Sequence, residues 1–300
     1  MRSSILPLAA LVVALLAPVW SGAPGLLLAQ AGRGERTLFV TALDSQGEPV
    51  ENLAPEHVII REDGLRREVL RLSRAVEPLD VALLVDNSAA AEGAIPQLRE
   101  GLNAFVEALA PGTSVALVGL ADRPTILVDY TTDRARLAEG IGRIFAMPRS
   151  GMTSLDAIVE VSRGFSTREA PRRALVIVMT EGIDFSNRDY GSVLDALTRS
   201  GASLHAITIG TPEFPGQEPY RSRAIVLDRG TRSTGGARQV VLTSQGVPQA
   251  LDRLGRTLAS QYKVTYVRPD SLIPPEKVEI ESSRPGVVLR ATPAREQTGN

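Results

Sequence analysis

The sequence of 300 residues contains no cysteine and only two histidines. Without a thiol, the chain cannot form a disulfide, a thiolate zinc site or a cysteine nucleophile. Neither His57 nor His205 stands beside a candidate nucleophile, so the sequence lacks the parts of a Ser–His or Cys–His catalytic pair. His205 lies within an apolar run and His57 at the start of a predicted strand, and both are predicted to be structural.

The chain also lacks any strong charge imbalance, because its formal net charge is −1. Nothing in this balance favours broad attraction to nucleic acid or to an anionic membrane. No glycine-rich phosphate-binding motif follows a predicted strand, which disfavours nucleotide chemistry. The sequence therefore predicts no nucleic-acid partner and no enzymatic activity.

Long apolar runs are confined to the first 31 residues. Arg2 precedes an apolar stretch over residues 5–20, and Ala29-Gln30-Ala31 fits a small-x-small cleavage site. Residues 1–31 are predicted to be a signal peptide cut after Ala31, which indicates a secreted or periplasmic protein. Cleavage near Ala23 and retention as an uncleaved anchor are the alternatives. No integral membrane span is expected after cleavage.

The rest of the chain divides by pattern. Residues 36–77 contain three strand candidates, two of them joined at Asp63-Gly64, and form a small N-terminal β segment. Apolar strands alternate with amphipathic helices over residues 78–261, which predicts an α/β fold: a doubly wound, mostly parallel sheet with helices on both faces. A C-terminal β segment over 262–291 and a disordered tail over 292–300 complete the prediction.

Two apolar strands of this region end in an acidic residue. The runs LLVDNSAAAEG and LVIVMTEGID place Asp86 and Glu181 just beyond their strands. Ligands of doubly wound sheets bind beyond the carboxyl ends of the strands. Together with Ser88 and Thr153, the two acids supply hard oxygen donors of the kind that Mg²⁺ prefers.

Each donor also has a simpler interpretation. Asp86 would accept backbone N–H groups at a turn, and Ser88 and Thr153 would cap helices. Glu181 would be a solvated loop acid, and the nearby Asp184 an exposed turn residue.

The same region resembles a von Willebrand factor type A (VWFA) domain over residues 80–260. DNSAA at 86–90, GMT at 151–153 and TEG at 180–182 stand where the family has Asp-x-Ser-x-Ser, Gly-x-Thr and Thr-Asp-Gly. The flanking segments TALDSQGEPV and QYKVTYVRP are similar to those of bacterial VWFA-related proteins described from Acidobacteria. The resemblance implies a Rossmann-like VWFA fold flanked by small β segments.

The resemblance further implies a metal-ion-dependent adhesion site that holds Mg²⁺ or Mn²⁺ through Asp86, Ser88, Thr153 and Glu181. Two departures fall on that site: Ala90 replaces a family Ser, and Glu181 replaces a family Asp. They predict a weakened or lost metal site. The loops expected to contact a partner carry Asn87, Met152, Asp184, Phe214 and Tyr220.

Two functions are consistent with this sequence. The first is an exported, adhesion-type module that binds a partner protein at the carboxyl-end loops, with or without a weakly held Mg²⁺. The alternative is a metal-independent structural or assembly component of the cell envelope that kept the VWFA fold and lost the metal site. A metal-dependent hydrolase is disfavoured, because no general base poised near neutrality is evident.

Overall fold

The computed structural model describes residues 33–211, 216–218, 220–269, 273, 275 and 277–293. The predicted signal peptide at 1–31 lies outside the described residues. Within them, no helix has the length and apolar character needed to cross a membrane. The helices and strands are β1 Arg33–Leu43, β2 Val58–Glu62, β3 Leu65–Arg67, β4 Val69–Arg74, β5 Leu79–Val85, α1 Ile95–Ala108, β6 Ser114–Gly119, β7 Thr125–Thr131, α2 Arg134–Gly142, α3 Ser154–Gly164, β8 Arg172–Thr180, α4 Tyr190–Ser200, β9 Ser203–Ile209, α5 Tyr220–Ser233, β10 Ala237–Val241, α6 Val247–Ala259, β11 Tyr262–Pro269, β12 Val278–Ser282 and β13 Val288–Pro293.

The central sheet has six strands in the order β10-β9-β8-β5-β6-β7. All pairings are parallel except that of the edge strand β7, which runs antiparallel to β6. Alternate side chains of β5 and β8 point to opposite faces, where α1, α2 and α6 form one core layer and α3, α4 and α5 the other. Because both faces are covered, residues 81–85 of β5 and 174–179 of β8 are apolar without interruption. The predicted doubly wound α/β fold is confirmed.

The two predicted β segments form one unit. Strand β1 pairs antiparallel with β11 and β13, and β11 pairs with β4. A second, three-stranded sheet has the order β12-β2-β3, so it also joins the two ends of the chain. The shared core includes Leu38, Val40, Ile60 and Val264. Neither segment alone has enough apolar surface to form a stable sheet, which is why they fold together.

The C-terminal boundary also differs from the prediction. Thr292 and Pro293 belong to β13 rather than to a tail, and the Thr292 hydroxyl donates to the Thr234 carbonyl at 2.8 Å. The remainder of the predicted tail lies outside the described residues.

A buried arginine holds the β unit against the central sheet. Arg172, the first residue of β8, is 4% exposed. Its guanidinium donates to Gln261 Oε1 at 2.8 Å, to the Leu258 carbonyl at 2.6 Å and to the Glu77 carbonyl at 3.2 Å. Burial lowers the pKa of Arg172 to about 10, so the group remains charged at neutral pH. One side chain thus connects β8, the end of α6 and the segment between β4 and β5.

Replacing this arginine is expected to loosen the junction. Arg172→Met removes the donor of charge-assisted hydrogen bonds to four acceptors, Ala75, Glu77, Leu258 and Gln261, so the free energy of unfolding should fall by about 2–4 kcal/mol. Urea denaturation measures this change. Arg66→Met, at an exposed position on β3, is the matched control and should change stability by less than about 0.5 kcal/mol. Equal stability of the two variants would contradict the role given to Arg172.

The buried histidine predicts a pH dependence of stability. His205 is 3% exposed on β9, as expected for a structural residue. Burial, and secondarily Arg290, lower its pKa from 6.5 to about 3. Because the unfolded chain binds a proton that the folded chain excludes, stability falls as the pH drops below about 6.5.

The expected loss at His205 is about 2 kcal/mol between pH 7 and pH 5. Urea denaturation at several pH values in that range gives the free energy of unfolding as a function of pH. This free energy should fall less steeply toward low pH in His205→Gln than in the wild type. Thr208→Val, a buried substitution on the same strand that removes no titrating group, should keep the wild-type slope. If His205→Gln kept the wild-type pH dependence of the free energy of unfolding, the histidine would not be its cause.

Candidate functional site

The candidate site lies at the carboxyl edge of the central sheet. Residues 86–94 follow β5, residues 143–153 connect α2 to α3, and residues 181–189 follow β8. The parallel register of β5 and β8 pairs Val85 with Val178, and the Asp86 N–H donates to the Val178 carbonyl at 2.9 Å. The sheet therefore places Asp86 beside the end of β8.

Asp86 is fully buried and its carboxylate is occupied by the chain itself. Oδ1 accepts the Ser88 N–H at 2.9 Å. Oδ2 accepts the Thr180 N–H at 3.1 Å and the Thr180 hydroxyl at 2.5 Å. A buried carboxylate needs such partners, since an unpaired charge in the interior is very costly. Asp86 thus joins its own loop to β8, as the simpler interpretation of this residue expected.

Ser88 and Thr153 do not cap helices with their side chains. Ser88 precedes the 3₁₀ turn Ala89–Ala94 and Thr153 precedes α3, and neither makes a side-chain cap hydrogen bond. The Thr153 hydroxyl instead donates to the Leu120 carbonyl at 3.0 Å. Both residues are buried.

Glu181 is not a solvated loop acid, which corrects the simpler interpretation of this residue. Its side chain is 7% exposed, and Oε2 accepts a hydrogen bond from the Arg223 guanidinium. Arg223, on α5, also donates to the Gly182 carbonyl at 2.6 Å. The other oxygen, Oε1, lies 3.7 Å from Arg238 Nη2. The charge of Glu181 is therefore compensated by two arginines of the same chain.

This arrangement does not fit a divalent cation. Both carboxylates already have partners, and an ion beside Glu181 would face the positive charges of Arg223 and Arg238. Ala90 supplies no oxygen, and a Cβ added at Gly182 would lie 2.9 Å from its methyl group. In the described part of the chain, no group of three or more His, Cys, Asp or Glu is arranged to hold a metal.

Four of the residues predicted on the partner-binding loops have buried side chains. Asn87 Oδ1 accepts the N–H groups of Leu120 and Ala121 at 2.9 and 3.0 Å. The Asp184 carboxylate accepts from the Ser154 hydroxyl and, at 2.9 Å, from the Ser186 N–H. Buried residues at this edge also include Met152 and Tyr220, the latter at the start of α5. These side chains hold the loops together. Phe214 lies outside the described residues.

Four apolar residues face solvent on these two loops, alongside exposed polar residues such as Arg149 and Arg188. Phe145 and Met147 on one loop and Ile183 and Phe185 on the other are 65%, 39%, 48% and 61% exposed. We call these four residues the apolar edge cluster. The sequence did not single them out, because an apolar residue in a connecting loop is as readily buried as exposed.

Backbone hydrogen bonds fix both loops of the cluster. The Met147 N–H donates to the Asn87 carbonyl at 2.8 Å, and the Phe185 N–H donates to the Met152 carbonyl at 2.8 Å. The Phe185 ring covers Gly151, where an added Cβ would lie 2.1 Å from a ring carbon. The loops that carry the apolar edge cluster are therefore held in place by hydrogen bonds and packing within the chain.

The fold and the site together define a doubly wound α/β domain with a polar, loop-rich carboxyl edge. Residues 80–220 match the model of the von Willebrand factor type A domain. The chain is therefore similar to that family over these residues, as the motif resemblance indicated.

Known proteins resemble the chain at low sequence identity. A UPF0353 protein of Mycolicibacterium paratuberculosis (strain ATCC BAA-968 / K-10) is 27% identical over 154 residues, which cover 47% of this chain and 46% of that protein. The chain thus matches less than half the length of this curated relative. A von Willebrand factor type A structure from Catenulispora acidiphila aligns over 88% of this chain and 73% of its own, with a TM-score of 0.50 and 14% identity. Proximal thread matrix protein 1 of the mussel byssus aligns over 66% and 50%, with a TM-score of 0.51 and 14% identity. These structural likenesses show the fold alone.

Removing the Asp86 carboxylate is expected to loosen the carboxyl edge. Asp86→Ala leaves two N–H groups and one hydroxyl without their acceptor, so the free energy of unfolding should fall by about 2–4 kcal/mol. Thermal or urea unfolding measures this. Glu92→Ala, at an exposed position in the following 3₁₀ turn, is the matched control and should be nearly neutral. A neutral Asp86→Ala would show that the edge does not depend on these bonds.

Proposed function

We propose that this protein is an exported protein-binding module that contacts its partner with the apolar edge cluster. The observation that carries the proposal is the exposure of Phe145, Met147, Ile183 and Phe185 on two loops that pair with each other through Met152 and Asp184. Exposed apolar groups of this kind mark interaction surfaces when they are clustered, and aromatic residues and Met are enriched at interfaces.

The buried polar residues support the proposal by making the surface rigid. Asn87, Asp86 and Asp184 each accept hydrogen bonds that fix a loop. A surface that is ordered before binding loses less conformational entropy when the partner arrives. The polar residues beneath the cluster therefore favour recognition without contacting the partner.

The contact rests on the loops and not on a bound ion in this proposal. An adhesion-type Mg²⁺ or Mn²⁺ site would need free donor oxygens, whereas both Asp86 oxygens accept hydrogen bonds and the charge of Glu181 is balanced by Arg223. Binding is favoured over catalysis on the same ground, because the buried carboxylates of the edge all have internal partners. The predicted signal peptide at residues 1–31 supports the export part of the proposal.

Site-specific photo-crosslinking tests the proposal. A photoreactive amino acid replaces Ile183 or Phe185 in the full chain, produced in the organism that encodes it. Both positions are expected to give a covalent adduct with the same envelope or extracellular protein. Val76 is the control, since it is 87% exposed but lies between β4 and β5, away from the carboxyl edge.

Adducts from the carboxyl edge but not from position 76 would support the proposal. Adducts from position 76 alone would contradict it, and would favour the structural alternative in which the β unit makes the lasting contact. A fractionation of the same cells tests export, because the proposal requires the mature chain outside the cytoplasm.

A further inference from the structure

Arg223 occupies a position that is unfavourable for a positive charge. It lies in the first turn of α5 and is 1% exposed, among the largest fully buried side chains of the described residues. The amino end of a helix carries partial positive charge, so a cation there is disfavoured. Arginine is rarely fully buried unless it is paired. A specific partner must therefore compensate this guanidinium.

That partner is Glu181, with Gly182 beside it. The guanidinium donates to Glu181 Oε2, and its Nη1 donates to the Gly182 carbonyl at 2.6 Å. A second arginine extends the pair: Arg238 Nη2 lies 3.7 Å from Glu181 Oε1, and Arg238 Nη1 lies 2.8 Å from Asp228 Oδ1. The two acids and two arginines alternate in charge along this chain of contacts.

The location of the pair gives it a role. Glu181 directly follows Thr180, whose N–H and hydroxyl hold Asp86. The pair also connects residues 181–182 to α5, so it anchors the beginning of the loop that carries Ile183 and Phe185. The positive charge that balances Glu181 therefore comes from Arg223, which is part of the chain and, unlike a bound ion, cannot dissociate.

We propose that the Arg223 guanidinium is the permanent internal counter-ion of the carboxyl edge and takes the place of a divalent cation. Glu181 carries one methylene more than aspartate, which lengthens its reach toward α5. Ala90 contributes no oxygen at the same edge. Ala90, Glu181 and Arg223 then form one coupled set, and the edge keeps its arrangement without added metal. This proposal does not rest on the identity or existence of a partner.

A double-mutant cycle on the full chain tests the proposal. The variants are Arg223→Met, Glu181→Gln and the double variant, and the readout is the Tm in EDTA and in about 10 mM MgCl₂ or MnCl₂. Arg223→Met should lower the Tm by about 6–15 °C, because it leaves a buried carboxylate without its main partner. The double variant should lose clearly less than the sum of the single variants, since it removes both charges. The wild-type Tm should differ by less than about 1 °C between EDTA and either metal.

Arg188→Met is the matched control. Arg188 belongs to the same loop, and it forms an ion pair with Asp156 at 2.9 Å, in which the two side chains are 41% and 19% exposed. Its loss should change the Tm by no more than about 2 °C, with no coupling to Glu181→Gln.

Two results would overturn the proposal. One is additivity of the two single variants. The other is a rise of several degrees in the wild-type Tm with Mg²⁺ or Mn²⁺ that Asp86→Ala abolishes, which would show a working metal site. If Arg223→Met gives no folded protein, the double variant decides: recovery of folded protein supports the pair, and failure to recover contradicts it.

Discussion

The parallel pairing of β5 and β8 is the constraint on which the carboxyl edge depends. Both strands are buried on both faces, so a slip of one residue would turn each apolar set toward the wrong core layer. Their register brings Asp86 beside Thr180, and the hydrogen bonds between them close the edge. Strand β8 begins with Arg172, which holds the β unit, and ends beside Asp86. Strand β8 therefore positions both ends of the domain.

Three buried charged residues of the described chain each have partners within it. Arg172 is matched by carbonyl and amide oxygens, Asp86 by N–H and hydroxyl groups, and Glu181 by arginines. Internal partners of this kind make the site rigid. The polar part of the edge thus serves as the frame, and the apolar edge cluster is the part of it left open to a partner.

Several features were predictable because their signals are local. Continuous apolar strands and helical spacing predicted the doubly wound sheet, and the position of Asp86 after a buried strand predicted its place at the edge. The interpretation of Glu181 and Asp184 as solvated acids was wrong. A short acidic loop has the same sequence whether it is exposed or covered by a distant segment. The position of Arg223 was missed as well, since nothing near Tyr220-Arg221-Ser222-Arg223 indicates that this arginine turns inward toward a residue 42 positions earlier.

The sequence by itself determined the alternation of strands and helices, the family-like motifs and the absence of cysteine. Each of these follows from side-chain type and spacing over a few residues. Only the tertiary structure decided that the two terminal β segments form one unit, that Glu181 is paired with arginine, and that Phe145, Met147, Ile183 and Phe185 face solvent. The physical reason is that pairing and burial depend on which distant segments meet, and that contact is set by the packing of the whole chain rather than by any local pattern.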